Sequence, residues 1–242
     1  MKTPDTSTRI HRLDLGPMEN FIYLIEDTRS KRAAVVDPAW EPADILALAR
    51  DRGLTISDIL LTHSHHDHIN AIDNVLAEFD SELHLTHAEA QFWGQAGTAP
   101  SLHHGGDRLR IGDTEIEILH TPGHTPGSAC YRVEDRLITG DTMFVFGCGR
   151  CDLAGGDPNQ MYDTLNRIRR ELPASTEILP GHNYAVKETS SLQEQIEGNP
   201  FLHFEQPEDF VKFRMQLHGQ LRQSPYDAVS KRCAHEWLQA GN

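Results

Sequence analysis

The chain has 242 residues, of which 36 are Asp or Glu and 22 are Lys or Arg, so its formal net charge is −14. This acidic balance argues against general nucleic-acid binding, which requires a basic surface. With 38% hydrophobic residues and four cysteines, the chain can bury a core without a disulfide scaffold. The N-terminal stretch MKTPDTSTRIHRLDLG lacks the apolar segment of a signal peptide, and no run of eighteen apolar residues occurs. We therefore expect a cytoplasmic protein that does not enter a membrane.

The first part of the chain predicts a strand, a helix and a strand in succession. Residues 21–27 (FIYLIED) and 33–39 (AAVVDPA) favour two strands joined by a charged turn. Residues 41–53 favour a helix with Pro42 in its first turn and Gly53 as its C-terminal cap. The buried strand ISDILLTH follows, and this spacing implies a right-handed crossover with parallel pairing.

The remaining elements continue the α/β pattern as far as Tyr184. They are, in chain order, a helix at 69–79, a strand at 82–87, hairpins at 107–121 and 129–141, a helix at 157–172 and a strand at 176–182. Beyond Tyr184 the strand patterns stop and the sequence becomes helical and connective. We therefore expect two parts, a main α/β domain over residues 1–185 and a helical C-terminal extension over residues 186–242.

The apolar run at residues 59–61 ends in the stretch HSHHDH, which has four histidines and one aspartate within six residues. Residues i and i+2 of a strand share a face, so His63 and His65 point the same way if the strand continues through them. A tight loop can then turn Asp67 and His68 back toward the same point. Imidazole and carboxylate are usual ligands of zinc and also suit iron or manganese. A purification tag or a solvated loop is the alternative, but this run is internal and follows a buried strand.

Three further candidates lie at other predicted strand ends, where functional groups are commonly placed on a rigid sheet. They are His124 in HTPGHTPGS, Asp141 in ITGDT and His182 in LPGHNY. Each taken alone could be an ordinary surface, core or turn residue, but their shared placement favours one site. No G-x-S-x-G motif is present, so a serine nucleophile is not indicated.

Four segments together resemble a known family: THSHHDH, TPGHTPGS, GDTMFVFGCGR and PGHNY. They are similar to the metallo-β-lactamase fold superfamily and, more narrowly, to its glyoxalase II-like (hydroxyacylglutathione hydrolase-like) branch. The resemblance spans roughly residues 18–200. It implies an α/β protein built as an αββα four-layer sandwich, with a metal site at one edge of the two sheets and a short helical C-terminal extension. Residues 1–185 would be the catalytic domain, and residues 186–242 would help to bind substrate.

The resemblance also implies two divalent metal ions, with zinc as the expected metal and iron or manganese as alternatives. The first ion would be bound by His63, His65 and His124, the second by Asp67, His68 and His182, with Asp141 bridging the two. His66 and His120 take positions that are not ligands in the family. Asp67 and Asp141 would also be catalytic, because they could hold the metal-bound hydroxide that attacks a thioester and accept its proton. The product would be a thiol and an acid.

Three residues are expected to contact the substrate. Arg150 takes the position of a basic residue that helps to bind glutathione in glyoxalase II, and Tyr184 that of a tyrosine that contacts it. Asp152 stands where glyoxalase II has an aromatic residue. The C-terminal segment lacks the basic pattern of that family, so the thioester is either S-acylglutathione-like or a carrier-bound acyl group. For an acidic carrier, a basic patch could be supplied by Arg214, Arg222, Lys231 and Arg232.

Two other functions stay open at this point. The order Gly-Cys-Gly-Arg-x-Asp is equally similar to persulfide dioxygenases of the same fold, which bind one iron through the positions of His63, His124 and Asp141. A non-catalytic, metal-stabilised binding module is the second alternative, although all seven ligand positions are present. Cys148 and Cys151 form a C-x-x-C pair without the helix context of a redox motif, so we expect a structural or incidental thiol pair near the site.

Overall fold

The computed structural model describes residues 7–94, 99–222 and 224–240, and within them two six-stranded sheets are formed. In the first sheet the strands stand in chain order: β1 (Thr8–Leu15), β2 (Asn20–Asp27), β3 (Arg32–Val36), β4 (Thr55–Leu60), β5 (Glu82–Thr86) and β6 (Ser101–His103). In the second they also follow chain order: β7 (Arg108–Ile111), β8 (Thr114–His120), β9 (Ala129–Val133), β10 (Arg136–Gly140), β11 (Glu177–Pro180) and β12 (Ser190–Ser191). Residues 1–6, within the segment where we expected no signal peptide, lie outside the described residues.

Helices connect and flank the sheets. They are α1 (Pro42–Arg52), α2 (His66–Ile69), α3 (Ile72–Glu78), α4 (His87–Trp93), α5 (Pro158–Glu171), α6 (Leu192–Gly198), α7 (Pro207–Lys212), α8 (His218–Leu221) and α9 (Lys231–Ala240). A 3₁₀ turn covers Pro200–Leu202, and a π-helical turn, Phe213–Leu217, joins α7 to α8. None of the helices in the described ranges is long and apolar enough to cross a bilayer.

Strand β2 shows why the sheets stack between two helical layers. Phe21, Tyr23 and Ile25 point into the core between the sheets, whereas Ile22 and Leu24 point the other way, onto α1 and α3. A strand that is buried on both faces has a continuous apolar run, as β2 has at residues 21–25. Burial of each such side chain contributes about 1.5–3 kcal/mol. Helix α5 and the C-terminal helices cover the outer face of the second sheet, so the predicted αββα four-layer sandwich is confirmed.

Most predicted elements are confirmed, and one detail illustrates the local cause. Helix α1 begins with Pro42 and ends at Gly53, whose φ of 64° is the left-handed conformation expected of a C-terminal cap. Strands β3 and β4 pair in parallel, as the crossover requires. Glycine tolerates this backbone conformation without steric cost, which fixes the end of the helix.

The structure corrects four details of the prediction. The helix expected at 69–79 is divided into α2 and α3. Strand β1 was not predicted, because its alternation of polar and apolar residues is weak. The two-residue strand β12 lies after Tyr184, where no strand was expected. Strand β4 ends at Leu60, so His63 and His65 lie in a loop and not on the face of a strand.

Candidate metal centre

The site is formed where loops from both sheets meet at one edge of the sandwich. The loop after β4 is tied to the second sheet, because the Ala129 amide donates to the Thr62 carbonyl over 2.8 Å. The loop after β11 is tied to both sheets: the Gly181 amide donates to the Gly140 carbonyl over 2.9 Å, and the Phe21 amide donates to the Gly181 carbonyl over 2.8 Å. These backbone bonds hold the loops that carry the predicted ligands.

Gly140 is required by the close approach of two of these loops. Its φ is +47°, and a Cβ atom there would lie 2.3 Å from Oγ1 of Thr62. Any larger residue would push apart the loops that carry His63 and Asp141. The glycine of ITGDT therefore serves the geometry of the site.

The structure brings together the three histidines predicted for the first ion. Nδ1 of His65 lies 2.9 Å from Nε2 of His124. The ring centroid of His63 is 4.8 Å from the ring centroids of both His65 and His124. Nε2 of His63 is buried and has no hydrogen-bond partner among the described residues. Nitrogens bound to one tetrahedral zinc ion lie about 3.3 Å apart, so this spacing suits a shared cation.

The residues predicted for the second ion converge in the same way. Nε2 of His68 lies 3.3 Å from Nε2 of His182, and Oδ2 of Asp67 lies 3.3 Å from Nε2 of His68 and 3.5 Å from Nε2 of His182. Asp141 stands between the two groups. Its Oδ1 is 3.3 Å from Nε2 of His182, and its Oδ2 is 3.5 Å from Nε2 of His124. One carboxylate oxygen thus faces each group.

The outer nitrogens of four histidines are held by oxygen atoms of the chain. The contacts to Nδ1 are Thr62 Oγ1 to His63 at 3.0 Å, Asp37 Oδ2 to His68 at 3.0 Å, the Arg150 carbonyl to His124 at 2.7 Å and the Met18 carbonyl to His182 at 2.8 Å. A carbonyl oxygen only accepts, so Nδ1 of His124 and His182 must donate. Their Nε2 atoms therefore present lone pairs to the site. Nε2 of His63 has no hydrogen-bond partner among the described residues, and a cation would satisfy it, so the donor set fits divalent metal ions.

The protonation of four ligand candidates agrees with metal binding. At His68, burial alone would lower the pKa, but the carboxylates of Asp141, Asp37 and Asp67 raise it. Burial and neighbouring histidines hold the pKa of His63 well below its usual range, and burial lowers the pKa of His124. Both rings are therefore neutral near pH 7 and can act as ligands. Burial alone would raise the pKa of Asp67 and Asp141, but nearby histidines outweigh it and the pKa of both carboxyls is lowered. Both aspartates are accordingly carboxylates.

Two buried carboxylates that support the predicted ligands, Asp37 and Glu89, were not identified from the sequence. Asp37 accepts hydrogen bonds from the amide of Thr62 at 2.7 Å and from its hydroxyl at 2.6 Å, and also contacts His68. It ends the strand motif AAVVD, a signal that could have identified it. Asp67 is in turn held by Nδ2 of Asn20, which donates to its backbone oxygen over 2.9 Å.

Glu89 links the loops that carry His65 and His124. It is fully buried and accepts hydrogen bonds from the Ser64 amide and hydroxyl at 2.7 Å, from the Thr125 hydroxyl at 2.7 Å and from the Gly127 amide at 3.1 Å. Ser64 and Thr125 are the chain neighbours of metal-ligand candidates. No pattern around Glu89 distinguishes it from the surface glutamates of other helices.

The ligand groups lie at the floor of a cavity of about 670 Å³. Arg150, Asp152 and Tyr184, the predicted substrate-binding residues, line its wall together with residues of the π-helical turn and α8. Tyr184 stacks on the His182 ring at a centroid distance of 4.6 Å. Arg150 makes a two-pronged ion pair with Asp152, at 3.0 and 2.8 Å.

The two histidines predicted not to be ligands lie outside both groups. His66 lines the cavity but packs edge-on against Trp40, with ring centroids 6.3 Å apart. His120 contacts the Pro126 carbonyl through Nε2 at 2.9 Å. Neither ring contributes to the ligand groups that the described residues form.

The expected basic patch does not form as proposed. Arg222 is only 8% exposed, and its guanidinium donates to the carbonyls of Phe146 and Asp227 over 2.6 and 2.7 Å. It is a structural residue because it satisfies one backbone oxygen before residue 186 and one after it. Lys231 and Arg232 are exposed but are paired, at 2.5 Å with Glu205 and at 2.8 Å with Glu236.

Cys148 and Cys151 are both buried and unbridged. Burial raises the pKa of Cys148 to about 12, even though Arg214 lies beside it, and burial also raises the pKa of Cys151. A thiol of this kind is protonated and unreactive near pH 7. The pair packs in the core between α5 and the C-terminal helices, in agreement with the structural role expected for it.

Two stacked sheets, covered by helices on both sides and carrying His and Asp groups at their common edge, define the class of metallo-β-lactamase-fold proteins. The family model of the metallo-beta-lactamase superfamily matches residues 15–182, and the chain belongs to this superfamily. The resemblance seen in the sequence is thereby confirmed.

Two relatives by sequence and one solved structure show which members of the superfamily this chain is similar to. The probable polyketide biosynthesis zinc-dependent hydrolase PksB of Bacillus subtilis (strain 168) is 33% identical over 196 residues, covering 81% of this chain and 87% of the relative. Hydroxyacylglutathione hydrolase of Thermosynechococcus vestitus is 37% identical over 195 residues, covering 80% of this chain and 75% of the relative. The crystal structure of ETHE1 from Myxococcus xanthus superposes with a TM-score of 0.79 at 29% identity, covering 96% of this chain and 97% of that one.

Proposed function

We propose that this protein is a metal-dependent hydrolase that cleaves a thioester into a thiol and an acid. The observation that carries the proposal is the position of Asp141, which presents one oxygen to each of two complete ligand groups. The seven ligands would be His63, His65, Asp67, His68, His124, Asp141 and His182. Two divalent ions held there would lower the pKa of a shared water and polarise the substrate carbonyl. Zinc suits these ligands, and iron or manganese could replace it.

Side chains of this protein would accept the proton of the attacking water and fix the directions of the metal ligands. Asp67 and Asp141 are carboxylates that can accept the proton of the attacking water. Asn20 and the outer oxygens at the histidines fix the ligand directions, so little reorganisation is needed during attack. Tyr184 stacks against His182 and lines the cavity beside the metal centre. No nucleophilic side chain is required.

The cavity wall would hold the thiol portion of the substrate. Residues 1–185 would form the catalytic domain, and the extension at 186–242 would close the cavity over the substrate. A relative named as a polyketide biosynthesis hydrolase and another named hydroxyacylglutathione hydrolase support a carrier-bound acyl group and an S-acylglutathione, respectively. Both substrates have the same reacting bond.

The proposal is tested by measuring thiol release from S-lactoylglutathione, short acyl-CoAs and acyl-pantetheine, with the chain loaded with zinc or iron. Asp67→Asn is the blank, because the amide cannot accept the proton and is a poor ligand. We expect release from at least one thioester, reduced by more than about 100-fold in the variant, since even outer-shell partners are worth 10- to 100-fold. Equal release by Asp67→Asn, or none with either metal, would overturn the proposal.

The ion pair of Arg150 and Asp152 favours a second candidate, the persulfide dioxygenase suggested by the Gly-Cys-Gly-Arg-x-Asp order. That function would use a single iron on His63, His124 and Asp141. Oxygen uptake in the presence of glutathione persulfide, with no thioester cleavage, would establish it. A binding module without catalysis would show neither activity.

A further inference from the structure

The C-terminal wall of the cavity contains a π-helical turn, Phe213–Leu217, between α7 and α8. Such turns are uncommon and often occur at functional sites. Arg214 lies within this turn and His218 begins α8, and both side chains line the cavity whose floor is the metal centre. Nη1 of Arg214 lies 3.3 Å from Nδ1 of His218. The turn therefore joins these two polar side chains on the wall.

His218 carries a buried hydrogen-bond donor without a partner. The residue is 5% exposed, and burial, together with Arg214 and Arg222, lowers its pKa to about 3. A guanidinium only donates, so Nδ1 of the neutral ring accepts from Arg214 and the ring hydrogen lies on Nε2. Within the described ranges Nε2 has no hydrogen-bond partner. A buried donor of this kind is costly unless a ligand satisfies it.

Arg214 makes no direct ion pair with a carboxylate among the described residues, although the charge of Asp152 interacts with it. Its neighbours are His218, the protonated thiol of Cys148 and the ring of Phe201, whose centroid lies 5.7 Å from the guanidinium carbon. The cavity's other arginine, Arg150, is matched by Asp152. Among the described residues of the wall, Arg214 is thus the cation without a directly paired carboxylate, and its Nε is also buried without a hydrogen-bond partner.

We propose that Arg214 and His218 form a subsite that binds an oxyanion, a carboxylate or a phosphate, on the thiol portion of the substrate. The guanidinium would supply charge and the imidazole Nε2–H a directed donor, a combination that suits oxyanion oxygens. The inference rests on the proposed function, because it names what the thiol portion carries. Exposed apolar residues at the cavity, Leu153 and Met215 at 38% and 41%, would contact the uncharged arm.

The experiment measures affinities of S-methyl ligands for the zinc-loaded full chain by calorimetry, with no turnover. Two matched pairs differ only in the oxyanion: 4′-phosphopantetheine against pantetheine, and S-methylglutathione against its diethyl ester. We expect one charged ligand to bind at least about tenfold more tightly than its neutral partner, the size of one charge-assisted hydrogen bond. The pair that shows the preference identifies phosphate or carboxylate as the source.

Variants test whether Arg214 and His218 cause the preference for the charged ligand. Arg214→Met and His218→Leu should each lower the charged-to-neutral affinity ratio by about tenfold. His218→Gln, which retains an N–H near the position of Nε2, should keep more of it. The control Arg232→Met removes an exposed arginine of α9 and should retain the wild-type ratio.

Two results would overturn the assignment. One is a ratio near one for both pairs in the unmodified chain, which requires no variant to fold. The other is a ratio in Arg214→Met and His218→Leu within twofold of the wild type, with unfolding excluded by their melting temperatures. Failure of thioester hydrolysis would instead refute the proposed function, since these binding ratios do not depend on turnover.

Discussion

The floor and the C-terminal wall of the cavity use buried polar groups in opposite ways. On the floor, His63, His68, His124 and His182 are 1–2% exposed, and an oxygen of the chain contacts the outer nitrogen of each. On the wall, His218 is almost as buried, but the Arg214 guanidinium contacts its Nδ1, and its Nε2 has no hydrogen-bond partner within the described residues. The floor rings therefore direct lone pairs at the ligand site, whereas the wall ring carries its hydrogen on Nε2.

The difference follows from how each region is built. The floor lies on loops between strands that are tied by backbone hydrogen bonds across both sheets, so its geometry is set by the sandwich. The wall is made of short helices joined by a π-helical turn. Preorganised groups on a rigid scaffold suit chemistry, and groups on an added segment suit variation in substrate. Changes on the floor should therefore cost activity, and changes on the wall should alter selectivity.

The largest effect is expected from Asp141→Ala on the floor. Loss of the carboxylate that faces both ligand groups should lower kcat/KM by about 10³-fold, more than loss of an outer-shell partner. Metal analysis should show fewer bound ions per chain. Asp135→Ala, in the exposed turn between β9 and β10, is the control. Full activity in Asp141→Ala would show that the two groups do not act together.

Glu89→Gln tests whether the floor depends on its outer support. The amide can accept fewer of the four hydrogen bonds and places an N–H against donors, so we expect metal affinity or activity to fall about 10- to 100-fold. Metal titration followed by activity assay at saturating metal separates the two. Glu78→Gln, at an exposed position of α3, is the matched control. If Glu89→Gln behaves like the control, Glu89 does not position the ligands.

The wall makes stability depend on pH through His218. Its pKa is about 3 in the folded chain, whereas that of an unfolded histidine is about 6.5. Between these values the unfolded chain binds the extra proton, so stability is full above pH 6.5 and is lost as the pH falls. At pH 5 the loss amounts to about 2 kcal/mol.

His218→Gln removes this titration. The decrease in melting temperature from pH 7 to pH 5 should therefore be smaller in the variant than in the wild type. Denaturant unfolding at both pH values provides the free energies. Equal decreases in the two proteins would show that His218 is already protonated or solvated in the folded state.

The smallest effect is expected from Arg150→Ala. Because Asp152 already balances this guanidinium, its loss should raise KM for an anionic thioester by about threefold, less than loss of a charged hydrogen bond made only to substrate. The kcat should change less than KM. Steady-state kinetics on the best thioester measure both. If Arg150→Ala raised KM more than Arg214→Met does, Arg150 would contribute more to substrate binding than Arg214.

The sequence predicted the floor better than the wall. His63, His65, Asp67 and His68 stand in one dense motif, and the remaining ligands follow predicted strand ends, so local pattern placed all seven at one edge. That edge forms because β4, β8, β10 and β11 end there, which follows from the order and direction of the strands in the two sheets.

The wall could not be predicted because its features depend on tertiary contacts. Nothing in the sequence separates Arg222, which binds backbone carbonyls, from Arg214, which faces the cavity. The π-helical turn has no sequence pattern, and Glu89 resembles any surface glutamate until Ser64 and Thr125 fold around it. Burial of a charged group is decided by partners that are distant in the chain.

The separation of the ligands along the chain has a consequence for synthesis. His68 and His182 are 114 residues apart. At about 5–20 residues per second, a ribosome needs roughly 6–23 s to pass from one to the other. During that interval the emerging chain presents a histidine cluster that lacks its partners from the second sheet. A metal ion bound by the full proposed ligand set could therefore be acquired only after translation has passed β11, and a chain truncated before it would offer an incomplete site.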